Sequence, residues 1–438
     1  MQCKGFRFLL WGLLLMVYPD ISWAQKSQLP PRPNMDLFHY ANTTLLTVGY
    51  EAAIDSLLAQ APNFTSDSAS MQDKGMYYQA AMTYASFAGR HSLALGFELK
   101  AFGKRKSEPA KLSGKVEVVP AGQYLISKYG QEPVIMFNEA HSRGQNRAFF
   151  RSILPALYEK GFRSLAIETL DYKDTLLQKR GYPLQSSGYY TREAAFGELI
   201  REAVLLGFEL FPYEDTSWVK DDPRSFMEQV NGREKAQADH LADYLKKHPG
   251  TKMIVLAGHD HIHKSSRDEW VKMGERLCKI LGRDIPSVEC TVMQEQAEKS
   301  REHPVYQAVL DSFQISQPMV LLQNDTTFYW AYKSGVVDVS VLMPRTNDDL
   351  GYPDWMKASE TNHTVLKLPL KVANSGRLLH IYRQEEWDKH GGQAVPVMHI
   401  DLNKKAQKLD LYLKKGSYRA IIADGYSRTW FNKKFKVK

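Results

Sequence analysis

Cysteine is nearly absent. The chain has three in 438 residues, Cys3, Cys278 and Cys290, so no framework of several disulfides can staple it. Cys3 lies in the leader described below. Cys278 and Cys290 then remain, either as one disulfide in an oxidising compartment or as two buried thiols. Dense Lys/Arg runs are also missing. The net charge of +8 is spread along the chain, which excludes a nucleic-acid stripe and reads as a solvated basic surface. Past the amino terminus there is no apolar run long enough to cross a membrane, and there is no clean internal repeat. What is present is 43% hydrophobic and 24% charged, a soluble composition with ample core, over a length that suits two or three units.

The first 24 residues read as a cleavable secretory signal. Lys4 and Arg7 give a basic start, Phe8 to Val17 an apolar run, and Ser22-Trp23-Ala24 a small-x-small site before Gln25. The expected location is secreted or periplasmic, with no stable membrane span after cleavage. A buried amino-terminal helix or membrane anchor is the alternative.

Residues 25–120 read as a linker and helical lead-in. Pro30-Pro31 and Pro33 mark the linker, to about residue 40. Ala52, Ile54, Leu57, Leu58 and Ala61 recur at helical spacing, with Pro62 as the stop. Met76 to Leu99 forms a second helical region, and its aromatics (Tyr77, Tyr78, Tyr84, Phe87, Phe97) suit core packing better than a ligand cage. Ala101 to Lys115 is Lys-rich and reads as exposed. At the other end, residues 359–438 alternate apolar and polar in Val365–Leu368, Leu409–Leu413, Tyr418–Ala423 and Phe431–Val437, with a turn at Asp424-Gly425. Period two with glycine turns predicts a small antiparallel, β-sandwich-like module for packing or docking.

Residues 121–358 carry the organising pattern. Four short apolar strands are predicted at Val134–Phe137, Ser164–Ile167, Phe208–Tyr213 and Met253–Ala257. Helices are predicted at Arg147–Glu159, Thr191–Leu205 and Phe226–Leu245, and each ends at Gly or Pro before the next strand. A further helix is predicted over Asp268–Leu281. Met319–Gln323 and Val336–Val341 read as strands that extend the sheet. The implied fold is α/β, a mainly parallel sheet with helices on both faces. A polar cluster follows each of the four strands: Asn138-Glu139-Ala140-His141, Glu168, Glu214-Asp215, and Gly258-His259-Asp260-His261-Ile262-His263. Ligands of open α/β sheets bind beyond the carboxyl ends of the strands, where all four clusters fall.

Taken alone, the His-rich turn could be a metal site, a catalytic pair or a solvated loop, and Glu168 could cap a helix. Together, two His-bearing loops and a carboxylate in one crevice can activate water or ligate a metal. A hydrogen-bonded network that only ties strand ends together is the structural alternative.

Two loops of the form Gly-x-x-His after strands, with a Glu after an intervening strand, resemble the erythromycin esterase, ChaN and Tiki/TraB superfamily. Gly258-His259-Asp260-His261 fits the pattern, and Asn138-Glu139-Ala140-His141 fits with Asn in place of Gly. Ala166-Ile167-Glu168, Arg233 in Arg-Glu-Lys-Ala-Gln-Ala, and Met273-Gly274-Glu275-Arg276-Leu277 are similar to the erythromycin-esterase-like branch, which has Met where Gln237 stands. The resemblance covers about residues 130 to 350. It implies one of three chemistries: a metal-independent esterase, with no cofactor; a Tiki-like metallopeptidase, with a divalent metal on His141, Glu168 and His261; or a ChaN-like haem-binding uptake protein. The esterase-like reading fits best, because Arg233 and the Met273-Gly274 helix belong to that branch. The expected catalytic residues are His141, Glu139, Glu168, His261 and Arg233. Asn138, Arg143, Tyr213, Glu214, His259 and His263 are expected to bind substrate, a small molecule or a peptide.

Overall fold

The computed structural model describes residues 30–103, 108, 110–217, 222–330, 334–358, 362–404, 406–424 and 428–438. The expected leader, and most of the Lys-rich stretch from 104 to 109, lie outside the described residues. Among the described residues no helix is long and apolar enough to cross a membrane.

The centre is a nine-stranded mixed sheet: β1 (Val116–Pro120), β2 (Val134–Glu139), β3 (Phe162–Ile167), β4 (Glu209–Pro212), β5 (Lys252–Gly258), β6 (Ser287–Glu289), β7 (Met319–Gln323), β8 (Thr326–Thr327) and β9 (Val339–Leu342). Its order is β1-β7-β9-β6-β2-β5-β3-β4, with β8 beside β7. The run from β9 to β4 is parallel, and β1, β7 and β8 add an antiparallel rim. Strand side chains alternate between faces. On β2, Ile135 and Phe137 enter one core with helices Ala121–Tyr129, Gly144–Glu159 and Ala194–Leu206. Val134 and Met136 enter another, with helices Phe226–Lys247 and Met273–Leu281. Burial on both faces explains why the parallel strands read as unbroken apolar runs.

Several boundaries differ from the sequence reading. Helix Tyr50–Thr65 runs through Pro62 and does not stop there. The proline forfeits one backbone bond near the end of the helix, and the last turn is held by buried Phe64 and by Thr65 Oγ1 donating to the Ala61 carbonyl. The second helical region is two helices, Met71–Phe87 and His91–Phe102, parted by Gly89 at φ +69°. The helix expected from Asp268 begins at Met273, because Glu275 reaches back to the Ser266 backbone and hydroxyl and holds the preceding segment in a turn. The linker ends at Asp36, which caps the helix Leu37–Thr47. Strands β1 and β6 were not anticipated. The first lies at the end of the expected lead-in, and the second is three residues long and carries a Ser and a Glu.

The four lead-in helices share a core of their own that includes Leu378 from the carboxyl-terminal region. That region holds two antiparallel sheets over one apolar core: β10 (His363–Lys367) with β13 (Lys408–Tyr412), and β12 (Met398–Asp401), β11 (Leu378–Arg383), β14 (Gly416–Asp424) and β15 (Arg428–Val437) in that order. Cys278 and Cys290 are free thiols, the second fully buried.

Candidate active site

The carboxyl ends of β2, β3, β4 and β5 open into a cleft of about 870 Å³ lined by His141, Glu168, Glu214, Arg233 and His261. Tyr172, Tyr189 and Tyr190, from the long connection after β3, form an aromatic wall. Leu46 of the first helix and Gln393 of the carboxyl-terminal region complete it, so all three regions contribute.

His141 sits one turn beyond β2. Its Nδ1 lies 2.8 Å from Glu139 Oε1, and its ring stacks on Tyr190 with centroids 4.0 Å apart and planes at 12°. Glu139 is buried, and its other oxygen is 2.8 Å from Arg147 Nη2. Burial opposes ionisation of Glu139, but Arg147 and His141 outweigh it and hold the carboxyl below its usual range. Arg147 is wholly buried. It also donates to the His141 carbonyl (3.1 Å) and to Glu193 (3.2 Å), the residue that caps the helix Ala194–Leu206. An ionised Glu139 accepts from Nδ1–H, fixing the tautomer that leaves Nε2 with its lone pair, an acceptor of protons. Among the described residues nothing hydrogen-bonds to that Nε2.

The opposite wall is a second ionic cluster. Glu168 leaves β3; Oε1 pairs with Arg233, and Oε2 accepts from the Gly258 backbone at 2.5 Å. Burial raises its pKa, but His261, Arg233, His141 and the Gly258 N–H together bring it down to about 2. Arg233 also pairs with Glu214, to which Gln237 donates at 3.1 and 3.2 Å. His261 Nδ1 is 2.9 Å from buried Glu234, and its Nε2 is 3.0 Å from Arg233 Nη1 and 3.6 Å from Glu168 Oε1. Burial disfavours the imidazolium, yet Glu168 and Glu234 outweigh that and raise the pKa of His261. A neutral ring accepts from Arg233 at Nε2 and holds Nδ1 beside the Glu234 carboxylate. A protonated one turns Nε2–H toward Glu168.

Not every expected residue faces the cleft. Asn138 braces the strands, donating to the His259 carbonyl (2.5 Å) and accepting from Cys290 N (2.6 Å). Arg143 makes a buried two-point pair with Glu98 of the lead-in (2.9 and 3.0 Å). Tyr213 is buried, with its hydroxyl on the Leu256 carbonyl. His259 lines a neighbouring cavity, its ring 5.1 Å from His141, and His263 faces neither cavity. Sequence reasoning missed Tyr190, Arg147, Glu193 and Glu234. Two of the four had a local signal: Arg147 follows His141 by six residues, and Glu234 adjoins Arg233.

Two of the three atoms a divalent metal would need, Glu168 Oε1 and His261 Nε2, already face the Arg233 guanidinium. A cation there would have to displace another cation, so this donor set does not fit a metal as it stands.

No family model and no curated protein matches the chain. Among solved structures, the type III effector HopBA1 aligns at 14% identity and a TM-score of 0.29, over 44% of this chain and 95% of that one. A structure described as bacterial protein toxins aligns at 14% and 0.31, over 57% of this chain and 56% of that one. RRSP, a MARTX toxin effector domain from Vibrio vulnificus, aligns at 14% and 0.26, over 57% of this chain and 44% of that one. Similarity this slight assigns neither a family nor an activity.

Proposed function

We propose that the chain is an exported hydrolase that cleaves an ester or related acyl bond with water activated at His141. The observation that carries the reading is the Glu139–His141 pair, with Nδ1 at 2.8 Å from the carboxylate and Nε2 free at the cleft. His141 Nε2 takes a proton from water as its oxygen attacks the acyl carbon. Arg233 lines the cleft and can donate to the oxyanion that forms, with His261 Nε2 helping to hold its guanidinium, and ionised Glu168 steadies the imidazolium of His141. When the intermediate collapses, the bond from the acyl carbon to the alkoxy oxygen breaks. The proton on His141 passes to the leaving oxygen, releasing an acid and an alcohol. No step needs a metal or another cofactor.

A screen of small-molecule esters and peptides with wild type and His141→Ala tests this. The expected result is a loss of about two to four orders of magnitude in rate with little change in melting temperature. A lowered melting temperature with turnover retained by the folded fraction would mean the residues only brace the loops. Activity abolished by a chelator and restored by a divalent metal would favour the metallopeptidase chemistry. A hemin titration with a Soret shift lost in His141→Ala would favour haem binding.

A further inference from the structure

A second cavity, of about 410 Å³, opens where the start of helix Tyr50–Thr65 meets β11, β14 and the helical turn Gln384–His390. We infer that it binds a saccharide unit, a role separate from hydrolysis and not dependent on it.

Its floor is His380, 7% exposed, whose Nδ1 lies 2.8 Å from Nδ1 of His399. One ring must donate to the other. His399 Nε2 is buried with no hydrogen-bond partner. A stranded N–H is costlier than an unused lone pair, so the shared proton belongs on His399 Nδ1, and His380 accepts it. His380 then carries its own proton on Nε2, which has no partner among the described residues, and offers it to the cavity that the residue lines. Burial, aided by Arg377, pushes the pKa of His380 down to about 3, so the ring stays neutral and presents one donor.

Around that donor stand an aromatic wall and groups of both charges. Trp387 and Tyr382 lie with ring centroids 4.6 Å apart. Arg377 pairs with Glu51 at 3.3 Å. The Asp55 side chain is 57% exposed, and one oxygen approaches Arg90 at 3.6 Å. A cationic ligand would meet Arg377, and an anionic one would meet Glu51 and Asp55. A purely aromatic ligand would leave the His380 N–H and the Asp55 carboxylate unmatched on desolvation. A sugar ring answers all of these. Its apolar face suits the aromatic wall, and its hydroxyls both accept from His380 and Arg377 and donate to Asp55. The volume falls within the range of small-molecule sites.

The test is calorimetric and saturation-transfer titration of the full chain with glucose, mannose, N-acetylglucosamine and their tetrasaccharides. At least one is expected to bind. Trp387→Ala, His380→Phe and Ala52→Trp, which fills the cavity from the surface of its helix, should each weaken it tenfold or more. His380→Gln, which keeps an N–H donor, should retain most of it, and His141→Ala should leave it unchanged. Melting curves confirm that each variant is folded. The inference is overturned if none of the sugars binds, if binding survives Ala52→Trp, or if indole or phenol occupies the cavity in preference. Binding is read without turnover, so it stands or falls apart from hydrolysis.

Discussion

Gly258 ends β5 directly against His141, the proposed base, and replacing it with alanine puts a methyl group into the imidazole. The Cβ would lie 2.3 Å from His141 Cε1 and 2.5 Å from Nε2, where ordinary contact begins near 3.4 Å. The Gly258 backbone is not in the left-handed region, so the substitution strains side-chain contacts alone, chiefly this one, with Glu168 Oε2 next at 3.3 Å. The ring must retreat by about 1 Å, and it has little room. Tyr190 stacks on it at 4.0 Å, and Glu139 holds Nδ1 at 2.8 Å. Overpacking of this kind costs about 1–3 kcal/mol. A displacement of about 1 Å at a reacting group costs on the order of a hundredfold in rate. The assay is a double-mutant cycle by urea unfolding, with turnover measured on the same preparations. Gly258→Ala should destabilise wild type by about 1–3 kcal/mol, and most of that penalty should vanish in the His141→Ala background, where the space is empty. Equal penalties in both backgrounds, or full turnover in a folded Gly258→Ala, would refute the placement of His141.

Three further outcomes follow from the ionic clusters. The folded pKa of Glu168, about 2, lies below its ordinary 4.5, so its contribution is present above the unfolded value and lost as pH falls from about 4.5 toward 2. Arg233→Met should flatten that acid limb, and a pH series of urea unfolding curves checks it. His261→Ala should lower the melting temperature as well as the rate, because it removes the ion-pair partner 2.9 Å from buried Glu234, whose remaining partners among the described residues are Trp270 Nε1 (2.7 Å) and Met273 N (2.6 Å); an unchanged melting temperature would contradict the pairing. His380 is depressed to about 3, so its neutral burial is stabilising above about pH 6.5 and loses about 2 kcal/mol by pH 5 as the unfolded chain takes up the proton. His380→Gln should remove that loss, as read by melting curves at pH 7 and pH 5.

Much of the central sheet was legible in the sequence because a strand buried on both faces must be apolar throughout, as Val134 to Phe137 is. The same strands led to His141, Glu168, Glu214 and His261, and the motif resemblance to Arg233, and these five meet in one cleft. Short strands escaped, since β6 spends two of its three positions on Ser287, which donates to the Ile262 carbonyl of a distant turn, and on Glu289, which accepts from Thr291 two residues on. The same limit hid the fate of Arg143. A basic residue beside a candidate catalytic loop looks like a substrate ligand until Glu98, 45 residues earlier, takes two of its nitrogens, Nε and Nη2. Tyr190 lies in a connection with no periodicity, so nothing local told its ring to lie flat on His141.

The cleft wall has a bearing on biosynthesis. Gln185 N, on the edge of the aromatic wall, donates to the Gln393 carbonyl at 3.0 Å, and both residues line the cleft. A ribosome must therefore deliver more than 390 residues before the last piece of that wall exists, long after His141, Glu168 and His261 have emerged. The nascent chain carries those three side chains through most of synthesis without the surface that completes the cleft around them.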